Sequence, residues 1–158
     1  MIKKLLFILI LISGSVSAEI RTIQQAGVSI EVPDNGWITT KKGEDLEIKS
    51  PDKIIFIIVN VDDDNDLNAE VIHAMSVIKK YHDNVDIKKE TKSTQVNDLS
   101  ISYVEGTGIT KKGKKPADWM VAATANKKGV ILLVMAMEGS LEKYKNDIKT
   151  ILNSFKKA

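Results

Sequence analysis

Two stretches of this 158-residue chain, Ile54 to Val61 and Val130 to Met137, are apolar at almost every position. A strand with one wet face alternates apolar and polar residues, so a short run without alternation belongs inside a sheet with both faces covered. Any fold for this chain has to cover those two strands on each side.

The connections decide how the sheet is wired. Val28, Ile30 and Val32 alternate with Ser29 and Glu31, and Pro33-Asp34-Asn35-Gly36 then turns the chain into Trp37. Leu46 and Ile48 alternate in the same way before the turn Ser50-Pro51-Asp52. After the first apolar run the period changes: Leu67, Val71, Ala74, Met75, Ile78 and His82 recur at steps of three and four, which predicts an amphipathic helix of about four turns. Val85 and Ile87 open a more polar strand, Asn97-Asp98 makes a tight turn, and Leu99, Ile101 and Tyr103 alternate back, so these two strands form a hairpin. That second strand ends near Glu105-Gly106-Thr107-Gly108, and a charged connection, Lys111 to Pro116, leads to a strand from Trp119 to Ala125. Asn126-Lys127-Lys128-Gly129 turns into the second apolar run. A last helix, capped by Ser140, carries Leu141, Tyr144, Ile148, Ile151, Leu152 and Phe155 on one face, with Lys156 and Lys157 at its C-terminal end. Parallel neighbours need long crossovers, and these connections are short. The reading is one α+β domain, a mainly antiparallel sheet with the helices packed on it.

The N-terminus sets the compartment. Lys3 and Lys4 precede the apolar segment Leu5 to Ile12, and the small residues Ser13 to Ala18 follow, which is the three-part pattern of a secretory signal peptide. The apolar segment is too short to span a bilayer, so residues 1–18 are expected to be removed, leaving a single domain over 19–158 in the periplasm or outside the cell, with no transmembrane segment. Lys3 and Lys4 account for the whole formal charge of +2, so the chain from Glu19 onward is neutral and a net basic charge offers nothing to nucleic acid. There is no cysteine. Disulfides, thiol catalysis, Cys-ligated metal and lipoprotein acylation fall away together.

Few residues suggest chemistry. His73 and His82 are nine positions apart on the first helix. At about 100° per residue they point to opposite sides and cannot share a metal. His82 continues the apolar stripe, whereas His73 lies near Glu70 and Val77 and is read as solvated. No nucleophile elbow, phosphate loop or cofactor motif is present, so no cofactor is implied. Asp62, Asp64 and Asp66 alternate in the manner of a calcium loop, but the sixth and twelfth positions of that loop hold Leu67 and His73 where glycine and glutamate are required. They remain candidate cation ligands beside the simpler reading, carboxylates that cap a helix entry. The lysines Lys111, Lys112, Lys114 and Lys115, with Lys127 and Lys128, form the concentrated positive patch, suited to an acidic partner or to contact with an anionic envelope surface. Nucleic acid is disfavoured, because the charge is not interleaved with stacking aromatics. Trp37 and Trp119 complete the candidates for a partner-binding surface.

The succession of strand, Val32-Pro33, turn, Trp37, two further strands, one long helix, an antiparallel set and a terminal helix ending Ile151-Leu152-Asn153-Ser154-Phe155 resembles the PsbP-like family over roughly Ala26 to Lys157. That family includes the photosystem II subunit PsbP, a Ran-binding nuclear import factor, the bacterial envelope protein DcrB and chaperones of type VI secretion effectors. The resemblance implies an αβα sandwich around a central antiparallel sheet, and a non-enzymatic role in binding or stabilising other proteins. It carries over no catalytic residue. The effector chaperones are cytoplasmic, so the signal peptide points to the envelope branch. The expectation is an exported, non-enzymatic binding or assembly protein of the bacterial cell envelope that holds another envelope or secreted protein. The alternatives are a small-ligand or divalent-cation binder acting through Asp62, Asp64 and Asp66, and a secreted inhibitor or immunity-type protein.

Overall fold

The structure is a computed structural model, and it describes residues 18–158. The leader expected over Met1–Ala18 therefore lies almost wholly outside the described residues. The chain runs β1 (Ala18–Ile23), β2 (Val28–Pro33), β3 (Ile38–Lys42), β4 (Asp45–Lys49), β5 (Ile55–Asp62), α1 (Leu67–Tyr81), β6 (His82–Val96), β7 (Leu99–Thr110), β8 (Pro116–Ala125), β9 (Gly129–Met137), α2 (Ser140–Lys143), α3 (Lys145–Asn153) and β10 (Lys156–Lys157). Seven strands form one sheet in the order β3-β4-β5-β9-β8-β7-β6, every neighbour antiparallel. A second, three-stranded sheet, β1-β2-β10, was not foreseen from the sequence. The mainly antiparallel sheet with helices on it is as expected.

The two apolar runs become β5 and β9, adjacent in the middle of the large sheet. In β9, Val130, Leu132, Val134 and Ala136 enter the core shared with the small sheet and α3, while Ile131 and Leu133 face α1 through Ala74 and Ile78. β9 is thus covered on both faces. β5 is covered fully on one: Ile55, Ile57 and Val59 are 1% exposed or less, but Phe56 and Ile58 are only half-buried, because α1 lies over β8 and β9 rather than over β5. The connection β5–α1–β6 carries the chain from the centre of the sheet to its far edge, and the hairpins β6–β7–β8–β9 bring it back.

Local chemistry explains the turns. Asn97 (φ 46°) and Asp98 (φ 64°) are both left-handed, the pair of positive φ values that a two-residue hairpin turn needs. Asn97 also donates through Nδ2 to the carbonyls of Asn153 and Phe155, tying the hairpin to the end of α3. β7 does not stop at the glycines as expected but runs through them to Thr110. A Cβ at Gly106 would lie 2.0 Å from the Asp86 carbonyl oxygen and 2.5 Å from Trp119 Cζ2, so glycine there admits both the irregular β6 backbone and the buried indole.

The C-terminal helix also differs. It breaks at Tyr144 (φ −105°, ψ 17°) into α2 and α3, its N-cap is Gly139 in place of Ser140, and no side chain caps it. The break sits at an anchor: Trp37 packs edge-on against Tyr144, with ring centroids 5.4 Å apart, and donates through Nε1 to Asp147 at 2.8 Å. Phe155 is buried past the end of α3, and Lys156 and Lys157 pair with Ser29 and Val28 as β10. Those lysines therefore close the small sheet and do not sit at a helix terminus. Lys156 instead reaches Glu31 at 3.2 Å.

Candidate functional site

The two ends of α1 gather most of the residues that the sequence marks as candidates. At its N-terminal end the aspartates bond in series to the backbone: Asp62 accepts from the Asp64 N–H, Asp64 from the Asp66 N–H, and Asp66 from the Asn68 N–H at 2.9 Å. Asp66 is the helix N-cap and satisfies one of the free donors of the first turn, while Asp62 and Asp64 fix the turn that leads into it. The Asp64 N–H, and then the His73 ring 2.7 Å from Asp62 Oδ2, hold the Asp62 carboxyl below its ordinary pKa. His73 is half-exposed, yet it is paired rather than simply solvated. Among the described residues no group of three or more His, Asp or Glu side chains is arranged to hold a metal ion.

Beneath this corner lies Glu70, which is 1% exposed, with no partner for its Oε2. Its carboxyl occupies the space that a side chain at residue 129 would need: a Cβ on Gly129 would lie 2.3 Å from Glu70 Cδ and 2.6 Å from the Asp64 carbonyl oxygen. That carbonyl in turn accepts the Gly129 N–H at 2.5 Å. Burial, and then the negative charge of Asp62, push the Glu70 carboxyl up to about 7; His73 opposes the shift, and Asp64 and Asp66 add to it. Lys128, grouped with the basic tip in the sequence, belongs to this end, where it bonds Asp63 at 2.7 Å.

At the C-terminal end of α1 an apolar groove of about 680 Å³ opens toward the β7–β8 connection. Ile54, Tyr81, Pro116, Ala117, Met135 and Met137 supply its apolar lining. Lys80 from the helix and Lys111, Lys112 and Lys115 from the connection supply its charge. Tyr81 and Met137 remain 52% and 56% exposed, large apolar side chains left in water beside one another. The connection is held from within. Thr110 Oγ1 donates to the Lys112 carbonyl and accepts the Lys115 N–H, and the Lys111 N–H bonds the Tyr81 carbonyl at 2.9 Å. Lys114 turns to Asp83 at 2.8 Å, with Lys111 at 3.9 Å from the same carboxylate. The Asp83 carboxyl is lowered accordingly. Lys80, Lys112 and Lys115 face no carboxylate within ion-pair distance among the described residues.

Trp37 and Trp119 do not meet. Trp37 lies in the core of the small sheet and α3, while Trp119 is fully buried under α1 with its N–H on the Thr107 carbonyl at 2.9 Å. The groove thus unites three of the sequence-marked lysines and leaves both tryptophans in the interior.

No protein-family model matches the sequence, and no curated protein matches it. Solved structures do match. The cyanobacterial PsbP (CyanoP) of Synechocystis sp. PCC 6803 superposes with a TM-score of 0.64 at 13% identity, over 90% of this chain and 94% of that one. LpqN of Mycobacterium tuberculosis, described as involved in cell envelope biogenesis, gives 0.60 at 12% identity, over 89% and 90%. PA94 of Pseudomonas aeruginosa, a putative regulator, gives 0.55 at 9% identity, over 87% and 94%. The chain has the PsbP-like fold.

On this PsbP-like sheet the sequence reading missed Glu70 and the groove's apolar lining. A signal for Glu70 was there: it stands four residues before Ala74 and eight before Ile78, the two fully buried apolar residues of α1, so it extends the stripe by one turn. Met135 and Met137 are the last alternate residues of β9 on the α1 side, where the helix has already ended. Their exposure follows from where the cover stops, which no local pattern records.

Proposed function

We propose that this protein is an exported, non-enzymatic binding or assembly protein of the bacterial cell envelope, and that it holds a protein partner against the groove at the C-terminal end of α1. The groove is the observation that carries the reading: exposed Tyr81 and Met137 beside lysines with no carboxylate to meet are a surface without its complement. The likeness to LpqN, a protein of envelope biogenesis, supports the compartment, as does the secretory pattern of residues 1–18. No helix of the described residues is long and apolar enough to cross a membrane. Against an enzymatic reading, His82 is buried with its ring on the Ile78 carbonyl, and Glu70 is sealed beneath the acidic corner. The cation alternative is the weaker one, since Asp66 bonds a backbone N–H of the first helical turn and Asp62 and Asp64 bond backbone N–H groups of the turn before it.

The test is photo-crosslinking in the source bacterium with a photoreactive residue at Met137 and, as a control, at Ile72, which is 71% exposed in the N-terminal half of α1. A protein adduct formed at Met137 and not at Ile72 supports the reading. Equal adducts at both, or none at Met137, sink it. N-terminal sequencing of the same material tests export, with Glu19 as the expected first residue.

A further inference from the structure

The chemistry of the groove narrows what the partner presents. Beside its lysines, its lining sets Met135, Met137, Tyr81 and Ile54 with His82 and smaller residues, and the two methionines give it a flexible apolar surface that adapts to a side chain pressed into it. Lys80, Lys112 and Lys115 bring three positive charges to that surface from two elements, and no acidic residue is among its lining residues. The second groove, about 310 Å³ between β6–β8 and the α2–α3 helices, carries Glu105 and Glu142 among its lysines. Positive charge left unmatched around an apolar floor complements negative charge flanking apolar side chains.

We infer that the occupant is an acidic amphipathic peptide segment of the partner, which seats large apolar side chains on Met135 and Met137 and sets Asp or Glu side chains against Lys112 and Lys115. This rests on the protein-partner reading above. A peptide fits better than an acyl chain, because a small ligand wants most of its surface enclosed, whereas Tyr81 and Met137 are more than half exposed and leave the groove open along its length. A peptide binds an open groove through a few anchoring side chains with charges at the rim.

The experiment measures fluorescence anisotropy of a labelled synthetic peptide of alternating Glu and Leu or Phe residues against the intact mature protein. A twin peptide with Lys in place of Glu, and phosphatidylglycerol vesicles, are run beside it. The acidic peptide is expected to bind and the basic one not, with affinity falling as salt rises. The double substitution Lys112→Glu, Lys115→Glu is expected to weaken the acidic peptide by at least about tenfold and to gain binding of the basic twin, a charge reversal that mere misfolding cannot produce. Acidic-peptide binding that is absent, or unchanged by the double substitution, overturns the inference. So does uptake by the vesicles without peptide binding, which would assign the groove to lipid. If Met137 crosslinks to a protein whose labelled segment has no acidic residues, this inference fails while the protein-partner reading stands. If Met137 yields no protein adduct, that reading fails and this inference with it.

Discussion

The two ends of α1 obey one electrostatic rule and reach opposite outcomes. A helix favours negative charge at its N-terminus and positive charge at its C-terminus, and this helix has Asp66 and Glu70 at one end and Lys79 and Lys80 at the other. At the N-terminal end the charges are consumed inside the molecule: the aspartates bond the helix entry, His73 pairs with Asp62, Lys128 pairs with Asp63, and Glu70 is buried beneath them. At the C-terminal end three lysines and two exposed apolar side chains meet no partner within the described residues. Charge at a helix end therefore does not identify a functional surface. What separates the two ends is whether the fold itself satisfies that charge.

If the acidic end is structural, altering its packing should unfold the protein, and the largest effect belongs to Gly129→Ala. The added Cβ meets the Glu70 carboxyl and the Asp64 carbonyl oxygen at 2.3 and 2.6 Å, and the second of these is backbone that cannot swing away. Overpacking of this kind costs about 3 kcal/mol. Urea denaturation measures it, and a loss below about 1 kcal/mol would mean that the corner is loose and the contrast between the ends is overstated.

Glu70 gives the next effect and a pH signature. Its folded carboxyl, raised from about 4.5 to about 7, keeps its proton where the unfolded chain has lost it. Between those values the native state binds more protons, so its stability falls as pH rises: the contribution is intact below about 4.5, drains away toward about 7, and stays lost above. The full change is of order 3 kcal/mol. Glu70→Gln is expected to flatten that slope and to be the more stable protein at pH 8, with unfolding followed at pH 5 and pH 8. An unchanged slope in the variant would assign the proton to another group.

Asp66→Ala sharpens the same comparison at a smaller scale. Loss of the N-cap bond to the Asn68 N–H is expected to cost about 1 kcal/mol. Asp62→Ala would be a poor substitute, because it also releases His73.

Legibility in the sequence divides along the same line. Patterns that are local were readable: the period of α1, the Asn97-Asp98 turn, the continuous apolarity of β9, and Asp66 as a helix cap. Each rests on residues a few positions apart. What failed depends on distant parts of the chain. The last helix breaks at Tyr144, where Trp37, more than a hundred positions earlier, holds Tyr144 and Asp147. β10 exists because β2 offers it an edge at Val28 and Ser29. Lys127 and Lys128, close in sequence to the basic tip, stand at the opposite end of the β8–β9 hairpin, and Lys128 joins the acidic corner. The groove was half legible: its lysines form a visible cluster, but its apolar lining comes from four separate segments of the chain and is left open where α1 ends at Tyr81.

The smallest predicted effect is the one that separates the two ends most sharply. A surface kept for a partner contributes little to the stability of the free protein, so Met137→Ser and the pair Lys112→Glu, Lys115→Glu should each shift unfolding by no more than about 0.5 kcal/mol. Met137 is 56% exposed on β9 and gives up little buried area, and neither Lys112 nor Lys115 loses an ion pair. Loss of partner crosslinking without loss of stability is then the signature of a binding surface, whereas Gly129→Ala should lose both together. Destabilisation by the groove variants comparable to that of the acidic corner would mean that these side chains support the end of α1, and the difference between its two ends would be one of degree.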